Sequence, residues 1–331
     1  MTMDQLILNF SNQLKRAKEI GEAATINAHS HEIRNVFISG LGGSGIGGTI
    51  VAQLVQDELK VPIIVNKDYF VPAFVGQHTL VIISSYSGNT EETINVLKTV
   101  QKTGAKIVII TSGGQAQQIA QEQGYDHILI DGGMPPRSCF GYSFVQQFYI
   151  LQGLGLINDG FKADLNNAIQ LLEAQEVAIQ TEAENLAKHL KGSLPIIYSD
   201  ASYEGVAIRF RQQINENSKM LCWHHVIPEM NHNELVGWRA QHSEAKVIFL
   251  RNETDYVRNQ ERMEFLKSVI KDYCGEILEV HSKGNSPIER TLYLIHLTDW
   301  VSQYLGVANG FDPIEIDVIN NLKNTLATNP L

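Results

Sequence analysis

The chain of 331 residues is 44% hydrophobic and carries a formal charge of −10. That apolar content suits two packed cores and argues against disorder, while the acidic balance weighs against nucleic acid or an anionic membrane as partner, since either calls for a basic face. Three cysteines, Cys139, Cys222 and Cys274, without C-x-x-C spacing, argue against a disulfide framework and a thiolate zinc site.

Leu6, Ile7, Phe10, Leu14 and Ala17 recur at helical spacing and predict one helix over residues 4–28, packed across a sheet or a partner subunit. Strands and helices then alternate. Strands are expected at 36–39, 61–65, 80–84, 106–110 and 127–130, with helices over 47–59, 91–101, 115–123 and 142–154. Near-continuous runs such as Val81-Ile82-Ile83 and Ile107-Val108-Ile109-Ile110 mark strands buried on both faces, as in a parallel sheet. Breaker residues between Gly155 and Gly160 suggest a boundary, after which a similar series follows. It comprises helices over 163–191, 203–213, 255–271 and 287–305, and strands at 194–198, 246–250 and 276–280. The predicted architecture is α/β, with two doubly wound parallel-sheet domains at 1–155 and 156–331. No apolar run reaches the roughly 20 residues needed to cross a bilayer. Residues 1–11 lack a basic leader and a cleavage pattern, so a cytoplasmic location is expected.

Two loops carry the first functional signal. Gly40-Leu41-Gly42-Gly43-Ser44-Gly45 and Ser84-Ser85-Tyr86-Ser87-Gly88-Asn89-Thr90 each follow an apolar strand and open a helix. Such turns gather free backbone N–H groups and the positive end of a helix dipole, which suits a phosphate. The hydroxyls of Ser84, Ser85, Ser87 and Thr90 add donors without a full charge, favouring reversible binding of a small phosphate ester. Three further segments supply ionisable groups. Pro135-Pro136 fixes the approach to Arg137. Helical spacing sets Gln213 and Glu216 on one side, with Asn215 and Asn217 flanking the carboxylate, a plausible general base. The stretch 223–238 shows neither helical nor strand periodicity and reads as an irregular functional loop, in which His232 between Asn231 and Asn233 suits proton transfer. His224, His225, His232 and Glu234 lack the spacing of a metal site.

These segments, in this order and across both halves, resemble the bifunctional phosphoglucose/phosphomannose isomerases of the sugar-isomerase-domain superfamily. The resemblance implies a dimer of two-domain chains with the site between domains and a histidine contributed across the subunit interface. It assigns Ser85, Ser87 and Thr90 to the 6-phosphate, and Gly43 and Ser44 to the border of the sugar. Glu216 would move a proton between C2 and C1, His232 would help open the sugar ring, and Arg137 would stabilise the enediolate. Lys323 corresponds to a family lysine that approaches the site. The implied substrates are glucose 6-phosphate, mannose 6-phosphate and fructose 6-phosphate, with no cofactor and no metal required. Two rival readings are weaker. A non-catalytic sugar-phosphate regulator of the same superfamily would leave Glu216 and His232 without purpose. A nicotinamide enzyme built on Gly40, Gly42 and Gly45 would want an acidic residue where the next strand ends in Asn66-Lys67.

Overall fold

The computed structural model describes residues 1–328. Its first half comprises α1 (Met3–Leu8), α2 (Phe10–Ala23), β1 (Asn35–Ser39), α3 (Gly42–Leu54), β2 (Ile63–Asn66), β3 (Thr79–Ser84), α4 (Glu91–Val100), β4 (Lys106–Thr111), α5 (Gly114–Gln123), β5 (Asp126–Leu129) and α6 (Phe140–Gly153). The second comprises α7 (Phe161–Leu190), β6 (Leu194–Asp200), α8 (Glu204–Ser218), β7 (Trp223–Ile227), α9 (Glu234–Gly237), β8 (His242–Arg251), α10 (Val257–Ile270), β9 (Cys274–His281), α11 (Pro287–Ala308) and α12 (Asp317–Ala327). All pairings are parallel, in the orders β2-β1-β3-β4-β5 and β7-β6-β8-β9. Two parallel-sheet α/β units result, each with its first strand second in the order and a reversal of strand order beside it.

Strand side chains alternate between faces, so each apolar run feeds two cores at once. Phe37, Val81, Ile83, Ile107 and Ile109 meet α4 and α5 on the outer face of the first sheet. Tyr198, Val247 and Phe249 meet Met263, Leu266 and Ile270 of α10 on the outer face of the second. The opposite faces of both sheets share one continuous core, in which Ile38, Ile82, Ile197 and Ile248 join residues of α3, α6, α7, α8 and α11. The two units are thus fused through a common helical layer. Glu176 of α7 ties that layer across to α11, accepting hydrogen bonds from His296 at 2.6 Å and from Trp300 Nε1 at 3.0 Å.

Several elements depart from the sequence expectation. The opening helix breaks at Asn9 and packs on α6, α7 and α11, with Phe10 stacked on His296 at 5.6 Å, instead of crossing a sheet. Helix α3 starts at Gly42, five residues early, because its glycines permit close packing and so do not break the helix. The start of the supposed irregular stretch, Trp223–Ile227, is the edge strand β7, whose polar His224 and His225 mask the period. Among the described residues no helix is long and apolar enough to cross a membrane.

Candidate active site

The two Ser/Gly loops stand at the C-terminal ends of the adjacent strands β1 and β3, where the strand order of the first sheet reverses. Such a crevice is the usual ligand position in open parallel sheets. The loops are bonded to each other, because Tyr86 N–H donates to Ser44 Oγ at 3.1 Å. Ser85 Oγ donates to Thr90 Oγ1 at 3.1 Å, and Ser87 Oγ accepts from Asn89 N–H at 3.3 Å. Neither the Leu41 that precedes α3 nor the Thr90 that precedes α4 caps its helix with a side-chain bond. Two helix N-termini therefore present uncapped first turns at one point, which favours an anion.

Arg137 is brought to this point by backbone contact. A Cβ on Gly43 would lie 2.9 Å from Pro136 O and 3.1 Å from Arg137 Cα, so glycine is what lets the start of α3 seat against the Pro136–Cys139 turn. The Arg137 side chain is only 3% exposed. Its Nε donates to Asn217 Oδ1 at 2.7 Å, and Nη2 donates to Pro313 O and, at 3.1 Å, to Ile314 O. Nη1 makes no hydrogen bond among the described residues and stands 3.6 Å from Glu216 Oε2. Burial pushes the guanidinium below its ordinary value, and the Glu216, Asp312 and Glu315 carboxylates oppose that shift.

Glu216 lies in the last turn of α8, which continues to Ser218, five residues past the predicted end. The helix is held there by buried polar contacts. Asn217 Nδ2 donates to Ser302 Oγ at 2.9 Å, and Arg209 pairs with Asp299 at 2.5 Å. Arg209 also donates to Arg137 O at 3.2 Å, tying the arginine turn to the same helix. The Glu216 carboxylate remains 28% exposed, beside a cation with an uncommitted donor. A carboxylate so placed can accept and return a proton while the guanidinium meets negative charge on the reacting oxygens.

The expected residues thus divide into two groups. Gly43, Ser44, Ser85, Thr90, Arg137 and Glu216 are joined by the chain of contacts just described, and Ser87 lies in the same turn as Ser85. His232 and Lys323 make no hydrogen bond or ion pair with Arg137 or Glu216 among the described residues. His232 is exposed, and its flanking asparagines do not hold the ring: Asn233 Oδ1 accepts from Glu234 N–H, and Asn231 faces Met230 and Arg262. Topology explains its distance from Glu216. Helix α8 returns from the C-terminal edge of the second sheet to the N-terminal edge, whereas His232 follows the C-terminal end of β7. The five residues of β7 separate those edges by about 16 Å. Lys323 lies on α12, an amphipathic helix with no buried residue, absent from the expected elements.

Sequence reasoning missed Lys219, whose amine reaches Glu216 O, and Asp299, whose partner Arg209 lies 90 residues away. Lys219 follows the glutamate segment directly, but a helix-end lysine carries no distinctive signal. Nothing in the sequence marks the carbonyls of Pro313 and Ile314.

Residues 31–150 match the SIS domain, and residues 179–326 match the bacterial phospho-glucose isomerase C-terminal SIS domain. In backbone shape the chain is similar to the C-terminal domain of glucosamine-fructose-6-phosphate aminotransferase from Francisella tularensis. The TM-score is 0.76 at 13% identity, over 95% of this chain and 98% of that one, a likeness of fold alone. The bifunctional phosphoglucose/phosphomannose isomerase of Aquifex aeolicus is 32% identical over 88% of this chain and 90% of its own length. That of Caldicellulosiruptor bescii is 39% identical over 98% of this chain and 99% of its own length. Kinship over nearly the whole of both chains shows that this protein belongs to the bifunctional phosphoglucose/phosphomannose isomerase family.

Proposed function

We propose that the protein is an aldose–ketose isomerase that interconverts glucose 6-phosphate and mannose 6-phosphate with fructose 6-phosphate. The observation that carries this is the Arg137 Nη1–Glu216 Oε2 pair at 3.6 Å, set against the uncapped helix start at Gly43 and Ser44. Ser85, Ser87, Thr90 and the first turn of α4 hold the 6-phosphate, leaving the sugar carbons to run past Gly43 and Ser44 toward Glu216. With the ring open, the Glu216 carboxylate removes the proton from C2. The C2–H electron pair becomes the C1–C2 double bond, and the enediolate charge falls on the oxygen facing Arg137 Nη1. Glu216 then returns the proton to C1 while the O2 hydroxyl proton passes to O1, so that C2 becomes the carbonyl and the ketose forms with no net oxidation. Glucose and mannose 6-phosphates differ only at C2, which is planar in the enediolate, so one base serves both.

Ring opening needs an acid at the ring oxygen, and His232 is assigned that role from a second copy of the chain. The separation of His232 from Glu216 across the second sheet, and its exposure, support a homodimeric site. Lys323 is assigned to the mouth of the same site, on α12, which follows the segment that Arg137 grips.

A coupled assay started separately from glucose 6-phosphate and mannose 6-phosphate tests the reading, with Glu216→Gln as the decisive variant. Fructose 6-phosphate forms from both sugars with wild-type protein. The Gln variant loses about 10²–10⁴-fold in kcat while retaining phosphate-ester binding by calorimetry. Wild-type turnover in Glu216→Gln would remove the assigned base.

A further inference from the structure

The segment from Asp312 to Glu315 turns over the end of α8, with Glu315 N–H bonded back to Asp312 O at 3.3 Å, and each of its four successive carbonyls is gripped by a cation. Lys219 Nζ donates to Asp312 O at 3.1 Å and to Glu315 O at 2.7 Å. Between these two, Arg137 Nη2 takes Pro313 O and Ile314 O. The third N–H of the Lys219 ammonium donates to Glu216 O at 2.6 Å, so all three donors are committed, one of them to the backbone of the glutamate itself. The Glu315 carboxylate stands 3.8 Å from the same amine. From the other side, α11 closes on this crossing. Gly306 admits the Asn217 carbonyl where a Cβ would lie only 2.4 Å from it, with Pro313 Cγ at 3.3 Å.

Lys219 also holds an uncommon backbone conformation. It caps α8 at φ +55, the one non-glycine with positive φ among the described residues. Glycine and asparagine are the residues that suit this position. A lysine here relinquishes the natural helix stop in exchange for an amine at the crossing.

We propose that Lys219 is a positioning residue for the isomerase reaction, acting with Arg137 to clamp the 312–315 segment over α8 and so fix the spacing between Glu216 and the free Nη1 of Arg137. The proposal rests on the isomerase reading above, because that spacing matters only if both groups meet the sugar. Without the clamp, Arg137 keeps its bond to Asn217 but loses the ordered carbonyls that hold Nη2, and the guanidinium gains a rotation that carries Nη1 away from the carboxylate.

The test separates positioning from stability through the choice of side chain. Lys219→Asn removes the amine and places a residue that tolerates the left-handed conformation, so its melting temperature stays at or above that of wild type. Lys219→Met removes the amine and keeps the strained backbone. Both are expected to lose at least about tenfold in kcat with less than about a twofold change in KM for fructose 6-phosphate. Hydrogen exchange of peptides covering 309–328 becomes faster in both. Wild-type kcat in a folded Lys219→Asn protein overturns the proposal, as does unchanged exchange, or a raised KM at intact kcat, which would make Lys219 a substrate contact. If Lys219→Met does not fold, the Asn variant decides alone. Full activity in Glu216→Gln would instead defeat the functional reading, while the exchange data would still judge the clamp.

Discussion

His224 sits on the edge strand β7 with its imidazole pushed down to about 4, first by burial and then by the positive charges of Arg211, His225 and Lys67. The folded value lies below the unfolded one of about 6.5, so the native state refuses a proton that the unfolded chain accepts. Stability is therefore full above the unfolded value and falls as pH drops from about 6.5 through about 4. Urea midpoints at pH 7 and pH 5 are expected to show a clear loss for wild type and a smaller one for His224→Gln. Equal losses in the two proteins would show that other groups carry the acid sensitivity. The site residues show how much a local pattern conveys. The hydroxyl loop and Pro135-Pro136-Arg137 are legible because their chemistry is carried by side chains in short runs. Lys219 was not, since its partners are main-chain carbonyls, and a carbonyl has no sequence signature.

At the scale of elements, the parallel strands were readable because burial on both faces writes itself as unbroken Val and Ile, as in Thr79–Ser84, where every residue is buried. Edge strand β7 and helix α12 were not. The first is diluted by histidines and the second has no buried residue, so no core pattern marks it. The extension of α8 to Ser218 has a tertiary cause. Arg209 lies over Phe140 at 4.6 Å and pairs with Asp299 of α11, while Gln213 donates to the second Asp299 oxygen at 3.1 Å. This lock joins α6, α8 and α11 beneath the Arg137 turn. Arg209→Met is expected to cost about 3–5 kcal/mol in chemical denaturation, because Asp299 would stay buried without its counter-ion. A loss below about 1 kcal/mol would mean that the lock contributes position without stability.

For the whole molecule, the consequence of fusing two sheets through one helical layer is that the second unit presents its end of α8 to the phosphate-type loops of the first. The same topology puts His232 beyond the C-terminal edge of the second sheet, so a single chain carries Glu216, the proposed base, and His232, the proposed ring-opening acid, at opposite edges of that sheet. The proposed twofold dimer would pair each Glu216 with the His232 of the other copy, giving two equal sites. Complementation is the direct check. Glu216→Gln and His232→Ala proteins are each expected to be nearly inactive as homodimers. When they are mixed, partly denatured and refolded together, half of the dimers are hybrids, and each hybrid contains one site with both native groups and one with neither. Activity should then recover to about a quarter of the wild-type value, the statistical fraction of intact sites for equal mixing. If both groups came from the same chain, every site in the mixture would lack one of them, and mixing would restore nothing.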